Sequence, residues 1–478
     1  MIFHFLLLKS VLYILMDKER GYTIMSHAKK FLSDPRISEA KKLIAEALKE
    51  HRQGIIDIAD GDPSCRQDYE DSLAVISQKR GQKPLFPYIA SGIGNGALVE
   101  LDDGSVKYDF IGNIGVYGWG HSDEDLVLAA VDAALTDVAI QGHLQPGKEY
   151  LSFLKVITKV SGFDHCVMTT SGALACENAL KLAFAKKTST SRVLAFEKCF
   201  MGRTLATTQI SDIGSCKDIL PNTLDVDYIP FYNHNDPEKS TNDAINAIEG
   251  HIAANPGAYA ALCVELVQGN GGIYPGTHDF FSAVMAIAKK HDIAVVIDEV
   301  QTFGRTPQIF AFQHFGLEEY ADIVTFGKFS QVCGTLFNEY YRPPPRLISQ
   351  TFASSATALA VGKVIIEKLV SGDFLGEDGK ISLYHKHFVK NLEVLSERYP
   401  GTISGPYGLG GMVAFTYRAG DKEATTSFVE KLYDAGVIAF TAGGTPKRVR
   451  FLLPVGVITV EDIDAVVEII EKTLIIDN

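Results

Sequence analysis

The sequence predicts an α/β protein built on a mostly parallel sheet, and three observations carry that prediction. From about residue 40, short apolar runs rich in Val, Ile and Ala alternate with longer amphipathic stretches, the pattern of strands joined by helical crossovers. Three runs, HCVMTT at 165–170, ALCVELV at 261–267 and IAVVIDEV at 293–300, are apolar throughout rather than alternating, as expected of strands covered on both faces in a parallel sheet. Polar residues collect at their C-terminal ends, the edge where open α/β sheets bind ligands.

The chain can bury a large core: it has 478 residues, 46% of them hydrophobic, and length alone divides it into about three domain-sized pieces. Its net charge of −13, from 45 Lys and Arg against 58 Asp and Glu with no basic run, argues against a nucleic-acid partner. Cys65, Cys166, Cys176, Cys199, Cys216, Cys263 and Cys333 lie far apart without CxxC pairing. That spacing suits the reduced thiols of a cytoplasmic protein better than a disulfide frame or a zinc site. The opening MIFHFLLLKSVLYILM is apolar, but Lys9 interrupts it and no cleavage site follows. It falls short of the ~20 residues that span a bilayer. It reads as a misassigned start, with Met16 or Met25 the true one; a weak membrane anchor is the other reading, and no membrane partner is expected.

NHNDPEKS at 233–240, YYRPPPR at 340–346 and SGPYGLGG at 404–411 read as loops. The triple proline closes the central region. From about residue 351 the chain reads as a smaller α+β unit, with a long helix over ALAVGKVIIEKLV, a strand over GMVAFTY, a helix over SFVEKLYDAG and a last strand near VRFLL.

Three elements carry candidate chemistry. In TTSGALACENALKLAFA at 169–185 a strand runs through Ser171 and Gly172 into a helix whose Ala175, Ala179, Leu182 and Ala183 share one face. Small residues at a helix start admit an anion; a plain N-cap by Ser171 explains the pattern equally well. Asp298 ends IAVVIDE, where an ionised carboxylate is costly unless a cation or donors meet it. A protonated pyridine nitrogen, a metal or a capping role would each meet that need. Lys328 follows ADIVTF and a glycine, thirty residues after Asp298, a gap that fits one helical crossover to the next strand. A desolvated lysine there would form a Schiff base with an aldehyde and shuttle a proton; a lone lysine is otherwise a solvated surface charge.

Taken together, DEVQT at 298–302, Gly327-Lys328, SGALACENALKLAF and TFGKFSQVCG resemble the class III aminotransferases. Family-like segments run from about residue 92 to the end, and the resemblance is strongest to the L-lysine 6-aminotransferase and 4-aminobutyrate aminotransferase branch. It implies a pyridoxal 5'-phosphate (PLP) enzyme of fold-type I: a large domain with a mostly parallel seven-stranded sheet between helices, and a smaller α+β domain from the N- and C-terminal segments. The implied division is residues 1–24 as an extension, 25–110 joining the small domain, 111–345 as the cofactor-binding domain and 346–478 as the C-terminal small domain. Ser171, Gly172 and Ala173 would hold the phosphate, and Phe200 would stack on the ring. Asp298 would pair with the ring nitrogen, Gln301 with the phenolic oxygen, and Lys328 would carry the cofactor. Thr351 would reach the phosphate of a neighbouring subunit, so a homodimer with shared sites is implied.

Arg203 and Arg450 would bind the carboxylates of an amino acid and a 2-oxo acid through bidentate contacts; without the resemblance each reads as a surface salt bridge. Intact Asp298, Gln301 and Lys328 argue against a non-catalytic protein, and no metal is implied.

The match departs from the family on the substrate side. Where relatives read Glu-Pro-x-Gln-Gly-Glu-Gly-Gly, this chain has Glu265, Leu266, Val267, Gln268, Gly269, Asn270, Gly271 and Gly272. The second Glu of that segment shields the α-carboxylate arginine while an ω-amino donor binds; neutral Asn270 cannot neutralise Arg450. Met201 replaces a family His, DEVQTFGRT is one residue short of DEVQTGFGRT, and FASSA replaces Gly-Gly-Asn after Thr351.

Overall fold

The computed structural model describes residues 26–187, 190–212 and 217–477; the apolar opening stretch and Cys216 lie outside the described residues. The chain divides into two units, one up to Ala47 and one from Leu48 onward. The first is helical among its described residues. Ser26 caps helix His27–Leu32 by accepting from Lys29 N, and Pro35 opens the next helix, a position where its missing N–H costs nothing.

The second unit is organised by a seven-stranded sheet. Its strands are β1 (His165–Thr169), β2 (Arg192–Phe196), β3 (Asp225–Ile229), β4 (Tyr259–Val264), β5 (Ala294–Glu299), β6 (Ile323–Phe326) and β7 (Cys333–Phe337). They lie in the order β1-β7-β6-β5-β4-β2-β3. Neighbours from β6 to β3 pair in parallel, while β7 runs antiparallel to both β6 and β1. All six residues of β4 and of β5 are buried, which is what their unbroken apolar runs require. Helix Gly172–Lys186 buries Ala175, Ala179, Leu182 and Ala183, the face anticipated from their spacing.

Three local expectations are corrected. HCVMTT forms an edge strand whose one neighbour is antiparallel β7; being apolar does not distinguish an edge position from a central one. ALCVELV is not one strand: β4 ends at Val264, and Val267–Gln268 pairs instead with Tyr274–Pro275, because Glu265 between them turns to bind two backbone N–H groups. In NHNDPEKS, Asp236 caps a helix that starts at Pro237.

The smaller α+β part draws on both ends of the chain. Ala90–Asn95, Leu98–Leu101 and Val106–Asp109 form an antiparallel meander that Val437–Ile438 joins in parallel. A second sheet holds β8 (Ile403–Leu409), β9 (Met412–Tyr417), β10 (Phe440–Ala442) and β11 (Arg448–Leu452), ordered β8-β9-β11-β10. Here SGPYGLGG is corrected too: most of it is β8. An edge strand tolerates Pro and Gly, and a register irregularity between Ser404 and Tyr407 takes up the Gly405-Pro406 step. Among the described residues, no helix is long and apolar enough to cross a membrane.

Candidate active site

A cavity of about 430 Å³ opens at the C-terminal edge of the parallel strands. Asp298, next to last in β5, lines it and is 8% exposed. The β5–β6 register sets Thr325 opposite Asp298, and Thr325 Oγ1 donates to Asp298 Oδ1 at 2.9 Å. Val300 N donates to the same oxygen at 2.9 Å; the Cys176 thiol reaches Oδ2 at 3.4 Å. Burial pushes the Asp298 pKa above the usual carboxylate range, and those donors oppose the push. No cluster among the described residues could hold a metal.

Glu265, just past β4, accepts from Phe200 N at 2.8 Å and from Gly269 N at 3.2 Å. Burial, and next the charge of Asp298, push its carboxyl up to about 8. Lys328 stands in the short link from β6 to β7, in a 3-10 turn entered with a left-handed φ of 49°. That conformation is uncommon for a residue with a Cβ and marks functional sites. Burial, followed by the charges of Arg450 and Arg305, pulls its amine from 10.5 down to about 7. A free amine at neutral pH is what a nucleophilic lysine needs.

Ser171 takes the capping role, its Oγ accepting from Leu174 N at 3.3 Å. The helix start opens on the cavity at Gly172 and Ala173. A Cβ on Gly172 would stand 2.7 Å from Val300 Cγ1, so only glycine lets the helix start approach β5 this closely. Phe200 and Arg203 line the same cavity, with the Arg203 guanidinium 4.9 Å from the Phe200 ring centroid. Asn270 and Gln301 complete the wall.

The structure thus gathers Gly172, Ala173, Phe200, Arg203, Glu265, Asn270, Asp298, Gln301 and Lys328 around one space. Ser171, Thr351 and Arg450 are not on its wall. Ser171 spends its hydroxyl on the helix, and Thr351 is exposed beside the strand pair Ser354–Ser355 and Ile140–Gln141. Arg450, on β11, is buried at 2% exposure and acts on Lys328 through its charge.

The residues present fit PLP. Asp298 is a buried carboxylate with no ion pair among the described residues, suited to a protonated ring nitrogen. The Gln301 Oε1 atom is buried without a hydrogen-bond partner, a cost that a hydroxyl on a bound ring removes. Lys328 offers its amine to an aldehyde, and the helix start offers backbone N–H groups to a phosphate.

Reading the sequence missed Thr325 and Cys176, which hold Asp298, and Arg305, which presses on Lys328. Arg305 sits inside the quoted DEVQTFGRT; Thr325 and Cys176 stand in segments already singled out, yet only the strand register shows what they touch. Cys333 and Gln331 also line the cavity, because antiparallel β7 begins at the edge where the other strands end.

A family model described as aminotransferase class-III matches residues 78–474. The acetylornithine aminotransferase of Bacillus cereus is 29% identical over 404 residues, 80% of this chain and 94% of that protein. The 5-aminovalerate aminotransferase DavT of Pseudomonas putida is 28% identical over 426 residues, 83% of this chain and 96% of that one. Among solved structures, the lysine aminotransferase of M. tuberculosis superposes with a TM-score of 0.76 at 21% identity, over 85% of this chain and 100% of its own.

Proposed function

Because the chain belongs to the class III aminotransferases, which are PLP-dependent transaminases, we propose that its donor is an ω-amino acid of lysine-like length and its acceptor a 2-oxo acid such as 2-oxoglutarate. The observation that carries this reading is positive charge at two depths: Arg203 exposed on the cavity wall that Lys328 shares, and Arg450 buried, its charge felt by Lys328. Two cationic anchors suit substrates whose carboxylates lie at different distances from the reacting carbon, as in an ω-amino acid and a 2-oxo acid. The names of relatives, acetylornithine and 5-aminovalerate aminotransferases, support donors with an amine at the chain end.

PLP, when bound, supplies an aldehyde that links to amines and a protonated ring that withdraws electrons from the carbon bearing the amine. Lys328 would hold the cofactor through its amine, and that amine, when free, would take a proton from the substrate carbon at Nζ. Asp298 would keep the ring nitrogen protonated, with Thr325 and Val300 fixing the carboxylate. Gln301 would bind the phenolic oxygen, Phe200 would cover the ring, and the N–H groups at Gly172 and Ala173 would receive the phosphate. Glu265, bonded to the backbone at Phe200 and Gly269, positions the two wall segments. Arg203, exposed on the cavity wall, orients a substrate carboxylate, Arg450 supplies buried positive charge felt by Lys328, and Asn270 lines the cavity as a neutral amide. Exposed Thr351 is available to the neighbouring site of a homodimer. The unpaired cysteines among the described residues suit the cytoplasm.

The test is an absorbance titration of PLP-loaded protein with L-lysine, 4-aminobutyrate, ornithine and acetylornithine in turn, without keto acid. Loss of the visible band and growth of the amine form of the cofactor with one donor identifies the substrate; 2-oxoglutarate should then restore the visible band. No response to any ω-amino donor, in protein whose lysine still carries the cofactor, overturns the donor assignment.

A further inference from the structure

Arg305 is a fully buried guanidinium, 0% exposed, that has no carboxylate partner among the described residues. A buried unpaired charge is expensive to keep, so its surroundings call for a role. Its Nη1 donates to the Gln301 carbonyl at 3.2 Å and its Nη2 to the Gly115 carbonyl. The guanidinium carbon lies 4.8 Å from the centroid of Phe329, the residue next to Lys328. The Arg305 carbonyl accepts from Gly411 N at 2.7 Å, tying the β8–β9 turn to the same point.

Glycines clear the space around this arrangement. A Cβ on Gly115 would stand 2.9 Å from Arg305 Nη2, one on Gly410 1.9 Å from the Arg305 carbonyl oxygen, and one on Gly118 2.1 Å from the Phe329 ring. The segment that Arg305 grips is held away from its relaxed conformation: Asn113 and Ile114 have left-handed φ values of 52° and 58°, costly above all for a β-branched residue. Two ties hold it. Asp109 Oδ1 accepts from Ile111 N and Gly112 N before the strained pair, and Arg305 holds the Gly115 carbonyl after it. Val116, immediately beyond, lines the catalytic cavity; Ile114 and Tyr117 line a separate cavity of about 700 Å³.

We propose that Arg305 is a positioning residue, whose two-pronged bridge between the Gly115 and Gln301 carbonyls holds the strained 112–117 segment in place as one wall of the catalytic cavity. The bridge needs a planar fork with donors set apart; a lysine of equal charge offers one point and cannot span both carbonyls.

The inference rests on the assignment of Lys328 and its cavity, so the test includes a readout that needs no turnover. Hydrogen exchange of the 112–117 amides is measured on the PLP-loaded enzyme without substrate, for wild type, Arg305→Lys and Arg305→Met, and kcat and KM are measured with the donor that gives turnover. Both variants are expected to speed exchange across 112–117 and to lower kcat roughly ten- to hundredfold, the scale at which a misplaced wall costs rate, with donor KM changed less than about threefold. If Arg305→Met does not fold, Arg305→Lys decides. Wild-type exchange at 112–117 in Arg305→Lys overturns the bridge, as does a kcat equal to wild type. Failure of every donor to react leaves the exchange result standing, which separates this inference from the donor assignment.

Discussion

The Lys328 amine gives the most quantitative expectation. Burial and the charges of Arg450 and Arg305 bring it from 10.5 to about 7. At pH 7, therefore, about half the molecules carry the free amine, against about one in three thousand for a lysine titrating at its ordinary value. The sign is fixed by the base: protonated and inert below about 7, neutral and nucleophilic above. Cofactor-free protein is trace-labelled with acetic anhydride from pH 5 to 10, and labelling of the Lys328 peptide is followed by mass spectrometry. Labelling should rise about tenfold per pH unit up to roughly 7 and then level off, while exposed lysines of the same sample keep rising toward pH 10. Arg450→Met, which removes a positive charge, should move the Lys328 midpoint upward; Lys328→Ala should lose the label and all turnover while staying folded. A Lys328 midpoint near 10 in the wild type would refute the electrostatic reasoning and with it the primed nucleophile.

Three further outcomes follow from contacts in the site. Asp298→Asn keeps an oxygen for Thr325 and Val300 but removes the charge, so kcat should fall by at least about a hundredfold with an unchanged circular dichroism spectrum; near-normal kcat would dismiss the ring-nitrogen role. In Gly269→Ala the new Cβ would stand 2.0 Å from Gln301 Oε1, the far end of a flexible side chain. Stability should fall by roughly 1–3 kcal/mol while the cofactor absorbance shifts as the amide is displaced; an unshifted spectrum counts against Gln301. Asn270→Glu should improve use of 2-oxoglutarate relative to wild type if a missing acid limits the exchange between donor and acceptor; equal steady-state kinetics would show that the position is not limiting.

Much of the sheet was legible because central strands are apolar throughout and change character abruptly where they reach the ligand edge. Asp298 and Lys328 stand at such changes, so spacing marked them as candidates, while their roles came only with the resemblance to the class III aminotransferases. What escaped depends on which strands become neighbours. Thr325 touches Asp298 through the β5–β6 register, twenty-seven positions away in sequence, and nothing in ADIVTF announces it. The edge position of HCVMTT and the reversal of β7 are topological facts without a local signal. The strand over SGPYGL was hidden because glycine and proline signal turns, and an edge position with an irregular register overrides that signal. Arg305 was in plain view inside a quoted motif, but a guanidinium whose partners are carbonyls far along the chain leaves no pattern in charge.

The reversal of β7 bears on how this enzyme can change over time. Other walls of the cavity come from segments that leave one strand and return through a long crossover, where residues can be added at little cost. Lys328 instead sits in a six-residue link between two hydrogen-bonded neighbours, with Phe326 opposite Gly334. An extra residue that slipped β7 by one position against β6 would turn each of its side chains to the opposite face of the sheet, including Thr335, which donates to the Ala175 carbonyl at 2.8 Å. Insertions can therefore remodel the mouth and its choice of substrate, while the length of the lysine's own link is locked by the strands on either side.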